Sequence, residues 1–232
     1  PRDEAVAGSS PAPHPVVPAR PQRKVNHPRI VHSRMDLSGI RRHTPAAAAA
    51  RREAAVLAPV VAHDGEAHLL FTKRATHLGR HPGQMSFPGG GREPTDATLN
   101  DTALREAHEE IGLRPAEVDV LGRIDDVTTT SDYAVRPFVG VAPDREYVPD
   151  ESEVAEVVLL PVDAFTDPTN YESERRVGRD GDPHRLHFFH VDGYLVWGAT
   201  GGIVVQLLER TTDWQVPPAP DRVVGPDADL PT

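Results

Sequence analysis

The chain has 232 residues, enough for one good-sized core or two small ones, and a formal charge of −10. It has no cysteine, which excludes disulfides and thiolate metal sites and leaves carboxylate, imidazole or backbone oxygen to hold any ion. No apolar run approaches the ~20 residues of a membrane span, and the N-terminus lacks a signal-peptide core, so a cytoplasmic protein without a membrane partner is expected.

The charge is unevenly spread, at +7 over residues 1–52 and −17 over the rest, and only Lys24 and Lys73 are lysine. Abundant acid and scarce lysine suit a protein that stays soluble in concentrated salt. An acidic body argues against a nucleic-acid partner, which needs a basic face.

In chain order, residues 1–34 are rich in proline, serine and basic residues without a sustained period and read as a disordered tail. Met35 is a candidate natural start. Residues 35–52 read as a helical lead-in, with Thr44 as N-cap, Pro45 in the first turn and an alanine run behind it. A single domain is expected over residues 53–215, followed by a C-terminal tail over 216–232. Two apolar runs around Asp64-Gly65 predict a hairpin, and "QMSFPGGG" a short strand ending in glycines. "DATLNDTALREAHEEIGL" predicts a helix with Leu104, Ala107 and Ile111 buried and Gly112 as its stop. "EVDVLGRIDDV", "YAVRPFVGVAP" and "VAEVVLLPV" read as strands. A second hairpin turns at Asp192-Gly193, and "GATGGIVVQLLERT" is the last helix. Strands and helices mix without regular alternation, which predicts one mixed α/β domain.

The stretch "REAHEEIG" crowds Glu106, Glu109 and Glu110 at i, i+3 and i+4, on one helix face. Ionised, they repel; a hard divalent cation, which wants several carboxylate oxygens, removes the conflict. An exposed, solvated helix face is the plainer reading of the cluster alone. What precedes it shifts the balance. "FPGGGREPTD" sets a strand and a glycine loop before the helix, and glycines let a backbone approach another group closely.

Strand, glycine loop and glutamate helix together resemble the Nudix hydrolases. Gly90, Asp96, Arg105, Glu106, Glu109, Glu110 and Gly112 fill the places of their box. Asp96 lies one residue further from Arg105 than the commonest form, which would place the acid at Ala97, so no metal role is assigned to Asp96. "LLFTKRATHLGRHPGQMSFPGG" is similar to the added signature of the coenzyme A pyrophosphatase branch, through Arg74, Arg80, His81, Gly83, Gln84, Phe87, Pro88, Gly89 and Gly90.

The resemblance implies a mixed β-sheet sandwiched between helices, with tails outside it. It also implies a hydrolase that splits coenzyme A or acyl-CoA with Mg2+ or Mn2+. Glu106, Glu109 and Glu110 would be metal ligands and catalytic, with Arg105 orienting them. Arg74, Arg80, His81, Gln84, Gly89 and Gly90 would meet the nucleotide substrate. The general base would be one of these glutamates or a loop acid further on, with Glu153 and Glu156 as candidates beside the plainer reading of both as ordinary surface charges. Trp197 reads as core, and His187 and His190 point to opposite faces of a strand. A homodimer is compatible with this reading. Competing readings are hydrolysis of another nucleoside diphosphate derivative such as ADP-ribose, a Nudix-fold binding module without turnover, and nucleic-acid binding by the basic tail.

Overall fold

The computed structural model describes residues 35–79, 82–129, 132–177 and 183–225. The chain runs α1 (Ser38–Arg42), β1 (Arg52–His63), β2 (Glu66–Arg74), β3 (Met85–Ser86), β4 (Gly89–Gly91) and α2 (Leu99–Ile111). It continues with β5 (Asp119–Arg123), β6 (Val127–Thr128), β7 (Tyr133–Ala142), β8 (Val154–Pro161) and α3 (Val162–Thr166). It closes with β9 (Tyr171–Val177), β10 (Pro183–Val191), β11 (Tyr194–Trp197), α4 (Gly198–Thr211) and β12 (Arg222–Val224).

β1 is the centre of the larger sheet. It pairs antiparallel with β2 and β4 and parallel with β7 over the register Arg52↔Tyr133 to Val61↔Ala142. Asp64 and Gly65 both have positive φ, the condition for the two-residue turn that returns β1 into β2. Ala55, Leu57, Ala58, Val60 and Val61 are fully buried, because both faces of this strand are covered. On one face Ala55, Leu57 and Val61 pack with Leu99, Ala103, Ala107 and Ile111 of α2. On the other, Ala58, Val60 and Phe71 join Val204 and Leu208 of α4 and Phe189 of the second sheet. The mixed sheet between helices is therefore present. α2 buries Leu99, Ala103, Ala107 and Ile111 as its stripe, and Leu104 stands at the edge of that core. No helix among the described residues is long and apolar enough to cross a membrane.

Two expectations need correction. The helix from Thr44 does not form: the only helix of the lead-in is α1, and residues 43–50 have no regular structure. Ala46 N–H donates to Asp125 Oδ1 at 2.8 Å and Ala48 N–H to Asp126 Oδ2 at 3.1 Å, while Asp126 N–H donates to the Ala46 carbonyl. A helix this short is marginal on its own, and these tertiary partners outweigh alanine's propensity. Nor is the C-terminal segment wholly a tail. β12 adds in parallel to β9 at the edge of the second sheet, whose order is β11-β10-β9-β12. Arg185 fastens the approach to β12 by donating to the Pro217 and Ala219 carbonyls.

Asp126 is the anchor of the lead-in. Its side chain is 1% exposed and accepts from Arg123 at 3.2 Å and from Arg136 at 2.8 Å besides Ala48. Asp126→Ala leaves two half-buried guanidinium groups without their carboxylate and should cost about 2 kcal/mol. Urea unfolding measures that loss, and hydrogen exchange at Ala46 and Ala48 should quicken with it. An unchanged midpoint with intact protection at those amides would show that Asp126 is not the anchor.

Candidate active site

The site begins with a glycine strand laid against a helix. A β-carbon at Gly89 would stand 2.6 Å from Val56 Cα, and one at Gly90 would stand 2.6 Å from the Glu106 carboxyl carbon. Only glycine lets β4 pass between β1 and the glutamate face of α2. α2 itself starts at a reciprocal cap, in which Asp101 N–H donates to the Thr98 hydroxyl and Thr98 N–H to the Asp101 carboxylate. It stops at Gly112, whose φ of 66° is the left-handed end expected from the sequence.

Arg105 sits beneath the carboxylates. Nε and Nη2 donate to Asp96 Oδ1 and Oδ2 at 3.0 and 3.1 Å, a two-pronged pair. Nη1 donates to Glu109 Oε2 at 2.8 Å, while Nη2 also reaches the Gly91 carbonyl and stands 3.1 Å from Glu106 Oε1. Asp96 accepts in addition from Glu93 N–H and the Thr102 hydroxyl, and the Arg105 contact foremost holds its carboxyl well below the usual range. With both its oxygens engaged in this way, Asp96 serves to fix Arg105, which is consistent with assigning it no metal role.

Glu106, Glu109, Glu110, Asp150 and Glu153 line a cavity of about 50 Å³. Asp150 and Glu153 arrive on the loop before β8, tied to α2 where Asp150 N–H donates to the Glu110 carbonyl at 2.9 Å. Burial raises the pKa of Glu106, opposed by the Arg105 charge. Glu110 is pushed up to about 8, first by burial and then by the Glu106 charge, with the Gly89 amide opposing. Its Oε2 is buried with no hydrogen-bond partner.

Arg74 and Gln84 are joined through their backbones, and Arg74 stands within electrostatic reach of this cluster. Arg74 N–H donates to the Gln84 carbonyl at 3.0 Å, and Gly83 N–H returns to the Arg74 carbonyl at 3.1 Å. The Arg74 charge acts on Glu110, and the Gln84 amide nitrogen lies by Gly198 at the start of α4. Of the two candidate bases, Glu153 lines the cavity. Glu156 is turned away, taking the Tyr194 hydroxyl at 2.7 Å with Lys73 at 3.9 Å. Arg80 and His81 lie outside the described residues. Trp197, expected in the core, is partly buried and stacks on Phe188, outside both core clusters. Nothing in the sequence around Asp150 points to the site; only its place in the fold reveals it.

The donor set suits a hard divalent cation: every group is a carboxylate, one buried oxygen is unpartnered, and the negative charges raise each other's pKa. As they stand the oxygens do not converge, for among the described residues no three His, Asp or Glu groups are placed to hold an ion. Glu109 is turned to Arg105 at 2.8 Å with its side chain 56% exposed, so joining Glu106 and Glu110 around an ion would require it to leave that contact.

The chain matches the NUDIX domain family model over residues 51–180. It is 41% identical over 158 residues to a protein of Enterobacter sp. named "Uncharacterized Nudix hydrolase NudL", covering 68% of this chain and 81% of that one. A protein of the same name from Pectobacterium atrosepticum is 38% identical over 167 residues, covering 70% and 84%. Among solved structures, a MutT/nudix family protein from Enterococcus faecalis is similar at a TM-score of 0.48 and 10% identity, over 72% of this chain and 62% of that one. The NUDIX domain of Shewanella oneidensis NrtR, complexed with ADP ribose, is similar at 0.42 and 18% identity, over 50% and 76%.

The raised pKa of Glu110 sets a pH signature. The folded metal-free protein holds a proton that the unfolded chain releases near pH 4.5, so stability falls as pH rises from there to about 8. Thermal melts in chelator across pH 5–9 should show that fall, and Glu110→Gln should flatten it. Since a cation displaces the proton, apparent affinity for divalent ions should rise with pH up to about 8. Identical pH slopes for wild type and Glu110→Gln would place the effect elsewhere.

Proposed function

Given that the chain belongs to the Nudix hydrolase family, enzymes that cleave pyrophosphate linkages, we propose that it is a divalent-metal-dependent pyrophosphohydrolase of coenzyme A or its acyl forms. The products are adenosine 3′,5′-bisphosphate and the corresponding 4′-phosphopantetheine. The observation that carries the reading is the meeting of two separate segments. Arg74, whose charge acts on Glu110 of the glutamate helix, is clasped to Gln84, both from the stretch similar to coenzyme A pyrophosphatases.

Glu106, Glu109 and Glu110 would hold Mg2+ or Mn2+, which when bound neutralises charge on the diphosphate oxygens. The remaining work falls to the chain. The Arg74 guanidinium, which makes no ion pair among the described residues, offers a fork that matches phosphate oxygens. Gly89 and Gly90 keep the approach to Glu106 free of side chains. Arg105, fixed by Asp96, keeps Glu106 and Glu109 on one side of the cavity. Glu153, which lines the same cavity from the loop before β8, accepts the proton of the attacking water. Arg80 and His81 are expected to add phosphate contacts.

Mass spectrometry of products, with coenzyme A and ADP-ribose in parallel tubes with Mg2+ or Mn2+, tests the assignment. Phosphopantetheine and adenosine bisphosphate should appear, with little turnover of ADP-ribose. Cleavage of ADP-ribose alone would transfer the site to that substrate class, and cleavage of neither would favour a binding module. Glu109→Gln and Glu110→Gln should each lower kcat at least about a hundredfold, because the metal supplies several kcal/mol of transition-state stabilisation. Glu153→Gln should lower kcat more than Glu156→Gln; the reverse order would move the base to Glu156.

A further inference from the structure

A larger groove, of about 500 Å³, opens on the other side of the glycine strand. Arg51, Arg52, Arg92 and Tyr133 line it, with Gly91 and Asp96 at its inner wall. A volume of this size accommodates a nucleotide fragment. The glycine strand links the groove to the carboxylate helix. Gly91 gives its carbonyl to Arg105, and its chain neighbour Gly90 lies against the Glu106 carboxylate.

The groove's lining is balanced, three arginines against three acidic residues, in a body that is otherwise acidic. Three guanidinium groups face two carboxylates, Glu53 and Glu93, while Asp96 is turned to Arg105. Arg92 is engaged, donating to Glu53 at 3.1 Å and to the Ala97 carbonyl at 3.2 Å. Arg51 and Arg52 are not so neutralised. Arg51 reaches Asp132 only at 3.7 Å with its side chain 90% exposed, and Arg52 meets the uncharged Tyr133 hydroxyl at 3.3 Å and the same ring's face. Two adjacent, under-neutralised guanidinium groups at the mouth of a nucleotide-sized groove are suited to a dianionic phosphate monoester.

We infer that this groove is the subsite for a second phosphate of the substrate, a monoester on its nucleoside half, with Arg51 and Arg52 as the specificity-determining contacts. The diphosphate lies at the carboxylates and the monoester beyond Gly91. The inference rests on the pyrophosphohydrolase reading for the identity of the substrate, but its test does not need turnover.

Calorimetry compares binding of adenosine 3′,5′-bisphosphate and adenosine 5′-monophosphate to wild type and to the Arg51→Gln/Arg52→Gln double variant. Wild type should prefer the bisphosphate by about tenfold or more, and the double variant should lose that preference. In kinetics, KM for coenzyme A should rise about tenfold in the variant, narrowing its gap to dephospho-coenzyme A. Equal affinity of wild type for both nucleotides, or a preference that survives in a folded double variant, overturns the subsite. A bisphosphate preference lost in the variant, in a protein that cleaves neither coenzyme, supports the subsite and refutes the hydrolase reading.

Discussion

Arg105 is the charge on which the site depends. Four carboxylates surround α2 at this level, and without a cation among them each like-charged pair on the helix would destabilise it by a few tenths of a kcal/mol. Arg105 binds three of them, Asp96, Glu106 and Glu109, within 3.1 Å, and a glycine carbonyl besides. Asp96 in turn is held by Thr102 and the Glu93 amide, so the guanidinium is fixed in place and direction. Glu110 is the carboxylate that Arg105 does not reach. It remains buried, partly unpartnered and strongly inclined to keep its proton. The site is thus built with one unresolved electrostatic demand, of the kind a divalent cation would meet.

The sheet makes this arrangement rigid. β1 is buried on both faces and carries β4 along its edge, so the glycine strand cannot drift from the helix. Two spaces of different lining lie near this strand. Five carboxylates line a small cavity, and three arginines with three acidic residues line a groove ten times larger that Gly91 borders. A substrate with a diphosphate and a further anionic group suits this pair of spaces, since the cation draws one part and the guanidinium groups the other.

Much of the fold is legible in the sequence because its signals are local. Asp64-Gly65 and Asp192-Gly193 turn where their sequence says, and α2 starts and stops at residues whose side chains or backbone freedom enforce it. The glutamate trio is legible for the same reason, as i, i+3 and i+4 are neighbours by helix geometry alone. What fails depends on residues distant in sequence. The alanine run has helix propensity, but Asp125 and Asp126, about 78 residues away, take its amides. β9 carries no strand signal, because "YESERRV" buries Glu174 and Arg176 inside a charge network with Arg222 rather than apolar side chains. Asp96 looks displaced when counted along the chain, yet Arg105 reaches it across the loop. The groove has no motif at all, since its arginines and Tyr133 come from three separate segments.

The most direct measurement is a Mn2+ titration of the substrate-free protein at pH 8, followed by electron paramagnetic resonance of the free ion. Wild type should bind the ion, and Glu110→Gln should weaken binding at least about tenfold, because it removes a buried ligand whose charge the cation satisfies. Superimposable isotherms for the two proteins would contradict a cation site among these carboxylates.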